Sequence, residues 1–396
     1  MDKRVVATGV RDLLPLDVVQ KRWIEQNLQT TFQQWGYQCV ITPTLESMEV
    51  LSAGGMVKPE SVIQIRSGDY KAVGLRPEMT ASIARAYSSR LEVETLPQRL
   101  YYLGNVFRNV PGQKETYQAG VELLGAEGLA ADGEILLLVR DCLQRLEIQD
   151  YDIIVGDESF TNTLLQSFSY KFRAPIRKCL AALDRVALEQ LDIPGETKAQ
   201  ALELLELRGK PSVVFAKCHA LPWVANLRDK LDYLKNLVEL VGDDRLVLDL
   251  SLIQDFDYYT GIVFEVVKGN LVISQGGRYD QLLGLYHPQG KSYPSVGFSW
   301  NIEALHKSLG AVLPQRTPTS DWLVVPLSEA VLPQAFAYAD RLRKGTLPQR
   351  VEIYIGDLGE EAVMTYARSK EITHIAWLQL DGTVTETNLA SSNGEE

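Results

Sequence analysis

The chain has 396 residues, of which 45% are hydrophobic and 23% charged, enough to bury a large core and to form two or three domains. Its 51 acidic residues outnumber 40 basic ones for a net charge of -11, and no dense Lys/Arg cluster interleaves with aromatics, which argues against a nucleic-acid partner. No run of about 18 apolar residues occurs, and MDKRVVATGVRDLL lacks the apolar core of a secretory signal, so a cytoplasmic protein with no membrane contact is expected.

In chain order, Asp17 to Trp35 is predicted to form a helix, with Val18, Trp23, Ile24, Leu28 and Phe32 near helical spacing and Gly36 just past its end. YQCVITP then reads as a strand closed by Pro43. Leu100 to Arg108 and Tyr117 to Leu124 are strand-like runs flanking the polar loop Asn109 to Thr116, so an antiparallel pair would turn their ends towards one cleft. From Asp132 to Leu240 the pattern is mostly helical, in stretches such as KAQALELLELRGK, and reads as an insertion beside the sheet. IVFEVV and LVIS enclose Lys268, Gly269 and Asn270, a hairpin turn.

AVLPQRTPTSD carries two prolines and no periodicity, and reads as a linker. Beyond it, DWLVVPL, AFAYADRLRK, VEIYIGD, EAVMTYARSK, THIAWLQL and TVTETNL alternate strand and helix patterns, the mark of a small α/β domain. The polar tail Ser391 to Glu396 is expected to be disordered. The cysteines Cys39, Cys142, Cys179 and Cys218 are scattered, with no CxxC pair and no histidine at ligand spacing. Neither a disulfide framework nor a metal site is expected, and all four are read as buried or inert thiols. The expected fold is α+β: a largely antiparallel sheet flanked by helices over residues 1–312, with a helical insertion at about 132–240 and an α/β domain at 321–390.

The chemistry sits in RPEMT (Arg76 to Thr80), QAGVE (Gln118 to Glu122), DYYTGIVFE (Asp257 to Glu265) and GGRYD (Gly276 to Asp280). Gln118 and Glu122 are four residues apart, so a regular strand turns both to one face. Carboxylates, amides and phenols can hold an ammonium, and they can select the protonation of an imidazole. Taken singly, a glutamate is more often a solvated surface group, and paired tyrosines beside a glycine more often pack a core. Gly276 and Gly277 mark either a close backbone approach or a sheet kink, while Arg278 and Asp280 are read as structural.

With GVRDLLP at Gly9 and VGF at Val296, these phrases resemble, in order and spacing, the catalytic core of histidyl-tRNA synthetase, a class II synthetase. The resemblance implies that Glu78, Thr80 and Gln118 hold the α-ammonium of histidine and that Glu122 meets the imidazole. Tyr258 and Tyr259 match the tyrosines that reach the other ring nitrogen. The first helix and strand resemble the first class II motif and imply a homodimer, although a generic amphipathic helix on a sheet would show the same pattern. By pattern and a few short phrases, the C-terminal domain resembles that family's anticodon-binding domain.

The same comparison exposes losses. Joining a carboxylate to the α-phosphate of ATP builds negative charge on phosphorus that fixed cations must meet. After Arg108, where the family's second motif places a glutamate two residues on, this chain has Val110. RGLDYY becomes IQDFDYY, with Gln254 in place of an arginine, and GFxxGxER becomes GFSWNIEA, with Asn301 for a glycine and Ala304 for an arginine. Each lost cation costs about 10²- to 10³-fold in rate. Arg108 remains, and its planar fork suits the free α-carboxylate of bound histidine.

An amino-acid site kept and an adenylating site lost is similar to the histidyl-tRNA-synthetase-like regulatory subunit of ATP phosphoribosyltransferase. That family is implied to be non-catalytic and without cofactor, to activate a short-form catalytic subunit in the first step of histidine biosynthesis, and to sense histidine. Its assembly is a hetero-octamer built around regulatory dimers. The alternatives are a divergent histidyl-tRNA synthetase and a tRNA-binding paralogue.

Overall fold

The structure, a computed structural model, describes residues 6–53, 57–66, 72–88, 90, 95–254, 258–356 and 359–389; Asp257 of the DYYTG phrase and the tail Ser391 to Glu396 lie outside the described residues. The chain divides into two compact units, Met1–Pro314 and Gln315–Glu396.

The first unit opens with α1 (Pro15–Gln34), started by proline at its first turn and by Asp17 accepting the Leu14 N–H at 3.0 Å. It buries Ile24, Leu28, Thr31 and Phe32 and stops at Gly36, whose φ is +82°. The strand expected after it is only β1 (Gln38–Cys39), because pairing with the sheet ends once Val40 N–H has reached Tyr101 O. A small sheet follows from β2 (Leu45–Ser47), β3 (Gln64–Arg66) and β4 (Ala72–Leu75), packed with α2 (Met48–Leu51) and α3 (Thr80–Tyr87).

The long hairpin β5 (Gln98–Phe107) and β6 (Glu115–Leu124) and helix α4 (Gly128–Arg145) complete the first half of the core. β7 (Asp152–Asp157) then leads into a helical insertion: α5 (Glu158–Ser167), α6 (Tyr170–Ala181), α7 (Arg185–Gln190), α8 (Gly195–Leu205), a short β8 (Arg208–Gly209), α9 (Pro211–His219) and α10 (Arg228–Val241). The chain returns through β9 (Leu246–Asp249), β10 (Ile262–Lys268), β11 (Leu271–Arg278), β12 (Ser295–Asn301) and α11 (Ile302–Leu309). Gly269, at φ +60°, makes the two-residue turn between β10 and β11.

The nine-stranded sheet has the order β1-β5-β6-β12-β11-β10-β7-β9-β8 and is antiparallel except at β1/β5 and β7/β9. One face carries Ala119, Val121 and Leu123 of β6 with Phe298 and Trp300 of β12, all buried in one cluster with Ile24, Leu28 and Phe32 of α1 and Ile135 and Val139 of α4. The period of two leaves Gln118, Gly120 and Glu122 on the other face, where the candidate site lies.

The second unit is a four-stranded sheet of order β14-β13-β15-β16: β13 (Trp322–Pro326), β14 (Val351–Ile353), β15 (His374–Leu378) and β16 (Val384–Asn388). Helices α12 (Leu332–Arg343) and α13 (Glu360–Ser369) pack in separate apolar clusters on Val324 and on Leu323 and Val325, so alternate β13 residues face opposite layers.

Candidate functional site

Three antiparallel strands set the site by register. Glu122 of β6 lies opposite Gly297 of β12, itself opposite Gly277 of β11; one step on, Gly120, Ser299 and Gln275 form the next row, and then Gln118 faces Asn301. The glycines are where larger neighbours cross the sheet. A Cβ on Gly297 would stand 2.0 Å from Glu122 Oε2 and 2.5 Å from Val121 O, and one on Gly277 would stand 2.8 Å from the Tyr259 ring. Gly276 and Gly277 therefore serve close approach.

All seven residues expected at the pocket, Glu78, Thr80, Arg108, Gln118, Glu122, Tyr258 and Tyr259, line one cavity. Glu78 and Thr80 come from the turn into α3, Arg108 from the end of β5, Gln118 and Glu122 from β6, and the two tyrosines from the segment before β10. The cavity also takes in Tyr102, Gln275, Tyr279 and Ser299, which the motif reading missed. Tyr279 was within reach, since it stands two residues beyond Gly277 in GGRYD. Tyr102 was not, because only its pairing with Gly120 across the hairpin turns its hydroxyl into the site.

Glu122 is the centre of the polar network. Its Oε1 accepts the Thr80 hydroxyl at 2.7 Å and its Oε2 accepts the Tyr279 hydroxyl. Burial raises its carboxyl to about 8, against the lowering effect of those two hydrogen bonds and with a further upward push from Glu78. Glu78, which lines the cavity, also has a local task. Its two oxygens accept the N–H groups of Thr80 (2.6 Å) and Ala81 (2.9 Å), capping the first turn of α3, and burial raises its carboxyl as well. Arg108 donates from Nε to Pro77 O at 3.1 Å.

The tyrosine rings form one wall of the cavity. Tyr258 lies 4.7 Å from Tyr259 and meets Tyr279 edge-on at 5.8 Å, centroid to centroid. What is left is about 20 Å³, room for about one water. An adjoining groove of about 250 Å³ shares Arg108, Gln118, Gln275 and Ser299 and extends to Val110, Lys114 and Asn301.

The substituted positions have other uses. Gln254 is buried outside the cavity lining and donates to Phe264 O at 3.4 Å and Glu265 Oε1 at 3.2 Å. Asn301 caps α11 by accepting the N–H of Ala304 at 2.9 Å. Val110 brings only an apolar side chain to the groove. Arg76, buried within RPEMT, holds backbone carbonyls of Thr42 (2.7 Å), Pro43 (3.2 Å) and Asn105 (2.9 Å). Arg278 pairs with Asp280 at 2.9 Å and Asp132 at 2.5 Å, as the structural reading of GGRYD expects. Three cysteines are buried, but Cys39 is exposed, because β1 is the sheet's edge strand. Among the described residues, no group of three His, Cys, Asp or Glu could hold a metal, and no helix is long and apolar enough to cross a membrane.

Sheet order, insertion and cavity define a histidyl-tRNA-synthetase-like fold of class II. A family model described as Histidyl-tRNA synthetase matches residues 9–305. Within that fold, the chain belongs to the family of ATP phosphoribosyltransferase regulatory subunits. The protein of that name from Cyanothece sp. (strain PCC 7425) is 49% identical over 388 residues, spanning 94% of this chain and 96% of its own. The one from Nostoc sp. (strain PCC 7120) is 47% identical over 390 residues, spanning 95% and 96%. Among solved structures, an ATP phosphoribosyltransferase regulatory subunit/histidyl-tRNA synthetase from Bacillus halodurans C superposes with a TM-score of 0.79 at 25% identity, covering 92% of this chain and 96% of its own. Histidyl-tRNA synthetase from Nostoc sp. PCC 7120 shares the fold, with a TM-score of 0.80 at 19% identity over 99% and 96%.

Proposed function

We propose that this chain is the regulatory subunit of an ATP phosphoribosyltransferase, that it is non-catalytic, and that it binds free histidine in the Glu122 cavity. It works in the cytoplasm with a short catalytic subunit, as a homodimer inside a hetero-octamer. The observation that carries the reading is the contrast between two sets of motif positions. Seven amino-acid determinants line a single cavity, while Val110, Gln254 and Ala304 occupy the places where adenylate formation needs charge.

In this reading Glu122 accepts an imidazole N–H, a phenol of the Tyr258/Tyr259 pair meets the other ring nitrogen, and Arg108 takes the α-carboxylate. Glu78, Thr80 and Gln118 stand around the ammonium. Feedback is linkage: histidine favours one arrangement of the dimer, and that arrangement holds the catalytic partner in a less active state, with a coupling of about 1–3 kcal/mol. The dimer surface is α1 with β1, where the edge strand leads into Ile41, 88% exposed, and Leu45, 50% exposed.

Calorimetry with histidine and histidinol tests the site. Micromolar-range binding is expected for histidine alone, because histidinol leaves Arg108 without a carboxylate. Equal binding of both discards that role for Arg108. Histidine-dependent pyrophosphate exchange at an ordinary turnover rate would overturn the non-catalytic reading altogether.

A further inference from the structure

The cavity is wired to the insertion through a buried residue outside the site. Arg278 stands at the crossing. Its carbonyl accepts the Thr260 N–H at 2.8 Å, which ties it to the Tyr258–Tyr259 segment. Its neighbour Tyr279 reaches Glu122, and Asp280 N–H donates back to the Thr260 hydroxyl at 3.0 Å. A Cβ on Gly261 would stand 3.1 Å from Arg278 Cδ, so the absence of a side chain there lets the segment run close beside Arg278.

From there the guanidinium leaves the site. Nε and Nη2 both donate to Asp132 Oδ1 on α4, at 2.9 and 2.5 Å, and Nη1 donates to Ala126 O at 3.1 Å. Asp132 is 1% exposed, and its other oxygen, Oδ2, accepts the hydroxyl of Tyr233 at 2.5 Å. Tyr233 belongs to α10, which packs on α4 as the last helix of the insertion. Both carboxylate oxygens are thus committed, one to the pocket strand and one to the insertion. Buried networks of this kind have few alternative geometries, so a displacement at one end is passed on or breaks a bond.

The cavity supplies the displacement. With about 20 Å³ inside, it admits an imidazole only if its lining shifts, and the Tyr258/Tyr259 pair is part of that lining. Thr260 is the next residue in the chain, and it is hydrogen-bonded to Arg278. We propose that Asp132 is a positioning residue that couples opening of the tyrosine-lined cavity to helix α10, with Tyr233 as the contact through which the insertion reads the site. This rests on the reading that an amino acid enters the cavity, and it adds the route by which occupancy leaves it.

The test is amide hydrogen exchange over α10 in four full-length proteins: wild type, Tyr258→Ala, Tyr233→Phe and the double variant. Tyr258→Ala removes the ring that packs against both Tyr259 and Tyr279 and so loosens the cavity without any ligand. It is expected to change α10 exchange at least threefold with Tyr233 present and by less than half of that in the Tyr233→Phe background, a non-additive cycle. An α10 rate that Tyr258→Ala leaves unchanged, or a change of equal size in both backgrounds, overturns the relay. Histidine added to wild type is expected to alter α10 exchange by a similar factor, while Tyr233→Phe, whose side chain is outside the cavity, still binds histidine within about threefold but loses the α10 response. If calorimetry finds no histidine binding, the ligand assignment fails, and the Tyr258→Ala comparison still decides the relay.

Discussion

In the proposed reading, Glu122 makes histidine binding a proton-linked event. Its carboxyl stands at about 8 in the ligand-free cavity, chiefly because it is buried. The carboxylate is the stronger acceptor for an imidazole N–H; with it as the binding form, only about one molecule in eleven is ready at pH 7, and the apparent association constant falls tenfold for each pH unit well below that value. Between pH 7 and 8.5 the rise should be about eightfold, in a window where the free imidazole is already neutral. Calorimetry in two buffers of different ionisation enthalpy should count nearly one proton released per histidine at pH 7 and far fewer at pH 8.5. Glu122→Gln should bind more weakly and with no such slope. A flat affinity in wild type, or the same slope in Glu122→Gln, refutes the argument.

Stability carries the opposite sign. The folded value lies above the ordinary 4.5, so Glu122 stabilises the ligand-free fold fully below 4.5 and loses that contribution as pH rises through about 8; the wild-type Tm should fall from pH 6 to 8.5 relative to Glu122→Gln. Gly297→Ala puts a methyl into Glu122 and the Val121 carbonyl, and should abolish histidine binding and cost about 1–3 kcal/mol in urea unfolding; wild-type affinity in that variant would contradict the register given for the site. Arg76→Met strips the carbonyls of Thr42, Pro43 and Asn105 of their donor, a loss of about 3 kcal/mol or more by chemical denaturation. Ile41→Asp should shift the sedimenting species from dimer to monomer, and an unchanged dimer would move the proposed interface away from β1.

Helical spacing was enough to place α1, which buries Ile24, Leu28 and Phe32, while the polar loop Asn109 to Thr116 and the glycine turn at Gly269 marked the β5/β6 pair and the β10/β11 hairpin between apolar runs. β2, β3 and β4 escaped notice since strands of three or four residues leave no alternation to read. Within the site, the spacing of Gln118 and Glu122 gave their common face directly. Tyr102 needed its cross-strand partner, and Glu78 showed its helix-capping task only once α3 was seen to start at Thr80. Residue identity names a group's chemistry; which of several bonds it spends that chemistry on is settled by neighbours far away in sequence, as Asp132 and Arg278 illustrate.

The packed tyrosines bear also on tempo. In the proposed reading, histidine enters as these rings move aside, so uptake proceeds more slowly than diffusional encounter allows. Fluctuations in metabolite supply shorter than the interval between such movements are averaged out, and a lasting surplus is registered. Under that reading the phenolic wall acts as a smoothing filter on the signal passed to a catalytic partner.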